Sequence, residues 1–165
     1  MQAPEPATED YLRALRHAAI RLLARREHSR EELRQKLHRR ERPDEVSGEQ
    51  QHEWIENLLT ALHNEGLQCD RRFSESYANM RIHKGYGPQR IDNELRERGV
   101  SETIRCDTLQ SLVERGEVDW WLLMRQVREK KFGHNIPDDY AARSRQMRFL
   151  QYRGFASEQI RELLA

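Results

Sequence analysis

Apolar residues recur at three- and four-residue intervals along almost the whole chain, the spacing of one helical face. Leu12, Leu15, Ala19, Leu22 and Leu23 mark a first helix over 11–25. Ser29 then stands where an N-cap belongs, with Glu32 three residues later, so a capping box is expected to open a second helix. Leu33 and Leu37 form its stripe and Pro43 ends it, while Val46, Ser47 and Gly48 read as linker. A third helix over 50–64 turns Trp54, Ile55, Leu58, Leu59 and Leu62 inward and stops at Gly66. Phe73, Tyr77 and Met80 mark a fourth. Gly85-Tyr86-Gly87-Pro88 is a tight turn with Pro88 in the first turn of a fifth helix, which carries Ile91 and Leu95 and ends at Gly99. Ser101 caps a sixth, with Ile104, Leu109, Leu112 and Val113. A seventh spans 120–131 and closes at Phe132-Gly133. Pro137-Asp138-Asp139 opens an eighth carrying Met147, Phe149 and Leu150. After the turn Arg153-Gly154-Phe155, Ser157 is expected to cap a short ninth with Ile160, Leu163 and Leu164. No run alternates as a strand does, so the fold class is all-α.

Three segments superimpose. Arg26 precedes His28, Lys84 precedes Tyr86 and Arg153 precedes Phe155, in each case a basic residue two before a ring. Apolar anchors follow at the same two offsets: Leu33 and Leu37, Ile91 and Leu95, Ile160 and Leu164. Such self-similarity marks stacked helical repeats, each too small to bury its own face. The expected division is a disordered tail over 1–9 and helical repeats over 10–66, 67–116 and 117–165.

Composition thins the expected core. Hydrophobic residues make up 36% of 165, below the roughly 45–50% usual when glycine is counted, which favours an elongated body over one deep core. No stretch approaches the roughly 20 apolar residues of a membrane helix, and residues 1–8 lack a secretory pattern. Cys69 and Cys106, with no CxxC spacing, point to a reducing, cytoplasmic setting and are expected to be small buried residues. The net charge of +1 conceals a rhythm: +4 over 1–42, −7 over 43–70, +3 over 71–98, −3 over 99–119 and +4 over 120–165. If the units stack in register, basic and acidic sides are expected. Only four basic residues are lysine, Lys36, Lys84, Lys130 and Lys131; the other 25 are arginine, whose planar fork suits phosphate and carboxylate.

No catalytic constellation is present: there is no GxxxxGK[ST] loop, GxSxG elbow or HExxH motif. No two of the seven histidines are three or four apart, so none forms a one-face metal pair. The chain is expected to be no enzyme and to carry no cofactor or metal. The positive candidates are basic residues beside rings. Arg25, Arg26, Arg30 and Arg34 surround the first turn, and Arg81, Lys84, Arg90, Arg96 and Arg98 the second. Arg125, Arg128, Lys130, Lys131, Arg143, Arg145, Arg148 and Arg153 surround the third. The neighbouring rings, Tyr86, Phe132, Tyr152 and Phe155, are read as core and the charges as a binding face, although cations beside exposed rings can also hold phosphates and stack bases.

At these residues the chain resembles a known family. Asp70-Arg71-Arg72-Phe73-Ser74 with Tyr77, then Gly85-Tyr86-Gly87-Pro88-Gln89-Arg90-Ile91 and Glu94-Leu95-Arg96-Glu97-Arg98-Gly99-Val100, looks like the central signature of the RecX regulatory proteins. Lys130-Lys131-Phe132-Gly133, Arg148-Phe149-Leu150 and Arg153-Gly154-Phe155 are similar to its ending, and the run from Ala19 to Ser29 to its beginning. The likeness covers about 12–164. Cys69 departs from a common acid and Ser74 from a common alanine, and 40–52 matches nothing in the pattern. The resemblance implies tandem three-helix repeats, and with the thin core an elongated, curved solenoid-like body. It implies a cytosolic negative regulator of the RecA recombinase that lodges in the groove of the RecA filament on single-stranded DNA. There such proteins inhibit ATP hydrolysis, strand exchange and filament growth, in DNA repair, recombination and the SOS response. The chain is expected to act as a monomer, without membrane. The alternative is a basic helical DNA-binding protein that competes for DNA.

Overall fold

The structure, a computed structural model, describes residues 6–165. Among them the chain forms nine helices and no strand: α1 (Pro6–Arg25), α2 (Arg30–His38), α3 (Gly48–Asn64), α4 (Asp70–His83), α5 (Pro88–Glu97), α6 (Glu102–Glu114), α7 (Trp120–Phe132), α8 (Tyr140–Arg153) and α9 (Ser157–Leu163). The first helix begins before its apolar stripe. A proline in the first turn lacks only an N–H that would be unpaired anyway, and Glu9 there suits the helix dipole. Of the expected tail, 6–9 are therefore helical, and 1–5 lie outside the described residues. No described helix is long and apolar enough to cross a membrane.

The chain divides into two compact units, 1–73 with 98–100, and 74–97 with 101–165. In the first, α1, α2 and α3 pack on one another around Tyr11, Leu15, Ala18, Ala19, Leu33, Leu37, Ile55, Leu59 and Leu62, all buried. Each fully buried leucine or isoleucine among them contributes about 1.5–3 kcal/mol. Gln51 is buried too, and its amide donates to the Tyr11 hydroxyl at 2.7 Å. In the second unit α5 packs on α6, and α8 on both α7 and α9. Met124, Leu150, Phe155, Ile160 and Leu164 form one of its cores. All six anchors of the superimposed turns are buried.

Helix entry follows local chemistry, with three departures. Ser29 accepts from the Glu32 amide as expected, but the Glu32 carboxylate turns to Arg26 at 2.9 Å and does not close a box. The capping box instead joins Ser47 and Gln50, in the stretch read as linker. Ser157 is the first residue of α9; its N-cap is Ala156, with no side-chain bond. Cysteine burial also differs: Cys69 is half-buried and Cys106, on the outer face of α6, is exposed.

The acidic third helix of the first repeat closes partly on its own unit. Glu56 of α3 accepts from Arg30 and Arg34 of α2, and Glu65 accepts from Arg16 of α1 at 2.7 Å. Hydrogen bonding from Arg34 lowers the Glu56 carboxyl most, burial opposes it, and Arg30 adds to the fall, leaving it at about 2. Its folded pKa lies below the ordinary carboxylate value, so its stabilisation is present above that value and is lost as pH falls toward 2. Urea melts of the wild type and Glu56→Gln should differ at pH 7, with the variant less stable, and converge as pH falls toward about 2. A constant gap would remove Glu56 from the acid response.

Candidate partner-binding clefts

Two clefts gather cations, one within each unit. In the first unit a groove of about 430 Å³ lies between α1 and α2. Ala18, Leu22 and Leu37 floor it, and Arg21, Arg25, Lys36 and Arg40 rim it. It adjoins a hollow of about 390 Å³ that shares Leu22, Arg25 and Lys36 and reaches Arg26 and His28. No carboxylate lines either. Arg21 and Arg25 stand one helical turn apart on α1, and Lys36 near the end of α2 is joined by Arg40 just beyond it. A like-charge pair such as Arg21 and Arg25 destabilises a helix by about 0.2–0.5 kcal/mol, which an anionic partner would relieve. His28 lies beneath, buried. Its Nδ1 bonds the Arg26 carbonyl and its Nε2 the Lys36 ammonium, each at 3.0 Å. Burial lowers the His28 pKa most; the bond to the Arg26 carbonyl and the Glu32 charge oppose the fall, and the Arg26 and Lys36 charges add to it. A lysine ammonium has only donors, so Nε2 accepts from Lys36 while Nδ1–H donates to the Arg26 carbonyl.

In the second unit the 84–87 turn meets the turn after α8. The Gly87 amide donates to the Arg153 carbonyl at 2.7 Å, and the Gln89 amide to the Gly154 carbonyl at 3.1 Å. Backbone touches backbone here: a Cβ on Gly87 would lie 2.5 Å from the Gly154 oxygen. The crossing brings three guanidinium groups onto the Tyr86 ring, Arg81 at 3.8 Å, Arg153 at 4.8 Å and Arg90 at 4.9 Å. Such contacts favour a ring face desolvated by its neighbours. Glu94 holds two of the three, accepting from Arg81 and Arg90 and also from the Tyr77 hydroxyl. Burial would raise its pKa, but bonds from Arg90, Arg81 and Tyr77 outweigh it and hold the carboxyl low.

Beside this hub opens a cleft of about 380 Å³ between the α4–α5 turn, α7 and α8. Ile82, Leu123, Val127 and Phe149 form its apolar lining. Lys84, Lys130, Lys131 and Arg153 supply cations, His83 and Gln126 complete the wall, and no carboxylate lines it. Arg153 braces the wall, donating to the Lys84 carbonyl at 2.6 Å. The three lysine side chains are exposed.

The predicted basic residues thus separate by partner. Arg25, Lys84, Lys130, Lys131 and Arg153 line clefts. Arg26 lines the hollow but is tied to Glu32. Arg30 and Arg34 are held by Glu56, Arg81 and Arg90 by Glu94 and Tyr86, and Arg98 faces Glu32 at 3.6 Å. Arg96, Arg145 and Arg148 are exposed and line neither cleft. Arg128 is not a surface charge at all: it is 2% exposed and donates to the carbonyls of Gly133, His134 and Asn135 and to Gln146. Among the rings read as core, Phe155 is buried, Tyr86 and Phe132 are half-buried, and Tyr152 is exposed at 67%. Sequence reading missed Arg21, Lys36 and Arg40; their closeness in sequence to the apolar Leu22 and Leu37 was the available signal. It also missed a pair of stacked histidines, His38 and His52, whose ring nitrogens lie 3.3 Å apart across α2 and α3. No group of three or more metal-ligating side chains occurs among the described residues.

Comparison with known proteins covers nearly the full length. Family models described as the first, second and third three-helix domains of RecX match residues 16–49, 70–109 and 117–164. A regulatory protein RecX of Halorhodospira halophila is 43% identical over 152 residues, 92% of this chain and 87% of its own. One from Pseudomonas entomophila is 45% identical, covering 92% and 90%. The crystal structure of RecX from Lactobacillus salivarius aligns over 94% of this chain and 97% of its own, with a TM-score of 0.68 at 20% identity. A second crystal structure of a regulatory protein RecX gives 0.73 at 20%, over 99% and 78%. At that identity these structures speak to the fold, an all-α repeat.

Proposed function

Because the chain belongs to the RecX family of regulatory proteins, we propose that it is a negative regulator of RecA. In this reading it binds the groove of the RecA filament on single-stranded DNA and slows ATP hydrolysis, strand exchange and filament growth. It acts by binding, in the cytoplasm, with no catalytic residue of its own. The observation that carries the reading is the family match along the three helical domains. The two acid-free cationic clefts support it. Carboxylates and phosphates are what a nucleoprotein filament offers, and contacts made at several places along one chain add avidity without one strong site.

The test is RecA ATPase on single-stranded DNA, titrated with this protein. Inhibition is expected. Reversal of Lys84, Lys130 and Lys131 to glutamate should raise the concentration needed about tenfold or more, because those charges are exposed and face no internal acid. Glu53→Lys, on the exposed side of α3, should leave it unchanged. Circular dichroism should show equal helicity in all three proteins. Absence of inhibition by the wild type would overturn the proposal; equal loss from Glu53→Lys would move the contact to the acidic helix.

A further inference from the structure

The cleft in the second unit has a chemistry more specific than positive charge. Its inner surface is aliphatic, formed by Ile82, Leu123 and Val127. Two rings line it: Phe149 stands edge-on to Phe132 at 5.3 Å between centroids with the Arg153 guanidinium 5.2 Å over it, and the His83 imidazole is bonded through Nδ1 to the Asn79 carbonyl of its own helix at 2.7 Å. Nucleobases are held by stacking on aromatic faces, and Phe149, flanked by Phe132 and Arg153, is taken up by these neighbours. An aliphatic or aromatic side chain needs only a dry concave surface, which is what these residues form. Lys84, Lys130 and Lys131 stand at the mouth with no carboxylate in the lining. Lysine is a flexible point charge that can follow carboxylates at irregular positions.

We propose that this cleft is a docking site for an acidic stretch of a partner protein, with one apolar side chain of that stretch seated on Leu123 and Val127 and flanking carboxylates on the three lysines. The inference deepens the regulatory reading, on which it rests for its biological partner, by assigning protein rather than nucleic acid to this cleft. The Tyr86 hub has a defined part in it. By fixing Arg153 against the Lys84 carbonyl, it sets the wall from which Lys84 reaches the ligand.

Fluorescence anisotropy with the full chain tests it. The probe is a short labelled peptide of glutamates and aspartates around a central Leu-Phe pair. A second peptide has Gly-Gly in place of that pair, and a labelled thymidine oligonucleotide serves as the nucleic-acid probe. The first peptide should bind. Replacing its apolar pair should weaken binding about tenfold or more, the effect of one buried side chain. Lys130→Glu with Lys131→Glu should weaken it at least as much, and both positions are exposed, so the fold is kept. The oligonucleotide should bind more weakly than the anchored peptide, and its binding should change less with the two lysine substitutions than the peptide's does. No peptide binding overturns the inference. So does equal binding of the Gly-Gly peptide, which would reduce the cleft to a charge patch, or displacement of the peptide by the oligonucleotide, which would assign the cleft to nucleic acid. Failure of the peptide while ATPase inhibition persists ends this inference alone. Peptide binding without ATPase inhibition ends the RecA reading alone.

Discussion

Gly154→Ala is expected to lower the stability of the second unit by about 2–5 kcal/mol, combining left-handed backbone strain with overpacking. Gly154 sits at a φ of 93°, and a Cβ there would approach the Arg90 backbone nitrogen to 2.5 Å. Nothing flexible separates the two. The turn after α8 would have to lift off α5, breaking the bonds from Gly87 and Gln89. Arg90 and Arg153 would then leave the Tyr86 ring, and the wall of the cleft with them. Gly116→Ala is the matched control: its φ is 68°, with nothing within 4 Å of the added carbon. It should lose only the strain, about 1–2 kcal/mol. Urea midpoints of the two variants measure the difference, and equal losses would show that the crossing turns contribute nothing.

Arg128→Met should cost about 2–4 kcal/mol, because methionine keeps much of the volume but donates nothing to the groups left behind. Those groups are the carbonyls of Gly133 and His134, at 2.9 and 2.8 Å, with Asn135 and Gln146 at 3.2 and 3.3 Å. The guanidinium closes the α7–α8 loop from within. Arg128→Lys should recover only part of the loss, since one ammonium cannot reproduce a planar fork. Hydrogen exchange should show the amides of 133–139 exchanging faster in Arg128→Met while those of α1–α3 are unchanged. Uniform acceleration would mean that Arg128 acts on the whole chain rather than on this loop.

Helix number and order were legible because their signals are local: a stripe every three or four residues, a serine or aspartate at an entrance, a glycine at an exit. The turn between α4 and α5 was legible for the same reason. Charge was legible only in blocks. Arg25 and Arg30 look alike in sequence, yet Arg25 rims a groove while Arg30 is neutralised by Glu56, 26 residues away. Arg128 reads as one more surface cation until three loop carbonyls converge on it. Glu32 had the spacing for a capping box, but Arg26 and Arg98 compete for its carboxylate. Side-chain pairing across helices decides which charges remain available, and no local pattern encodes it.

The filament reading is tested most directly by sedimentation with RecA filaments formed on single-stranded DNA with a slowly hydrolysed ATP analogue. The protein should pellet with the filament and remain in the supernatant with the same DNA alone, and reversal of Lys84, Lys130 and Lys131 should release it. Retention on naked DNA as strong as on the filament, with a log–log salt slope of roughly −0.7 per phosphate contact, would contradict the account in favour of competition for DNA. Failure to pellet with the filament would contradict it outright.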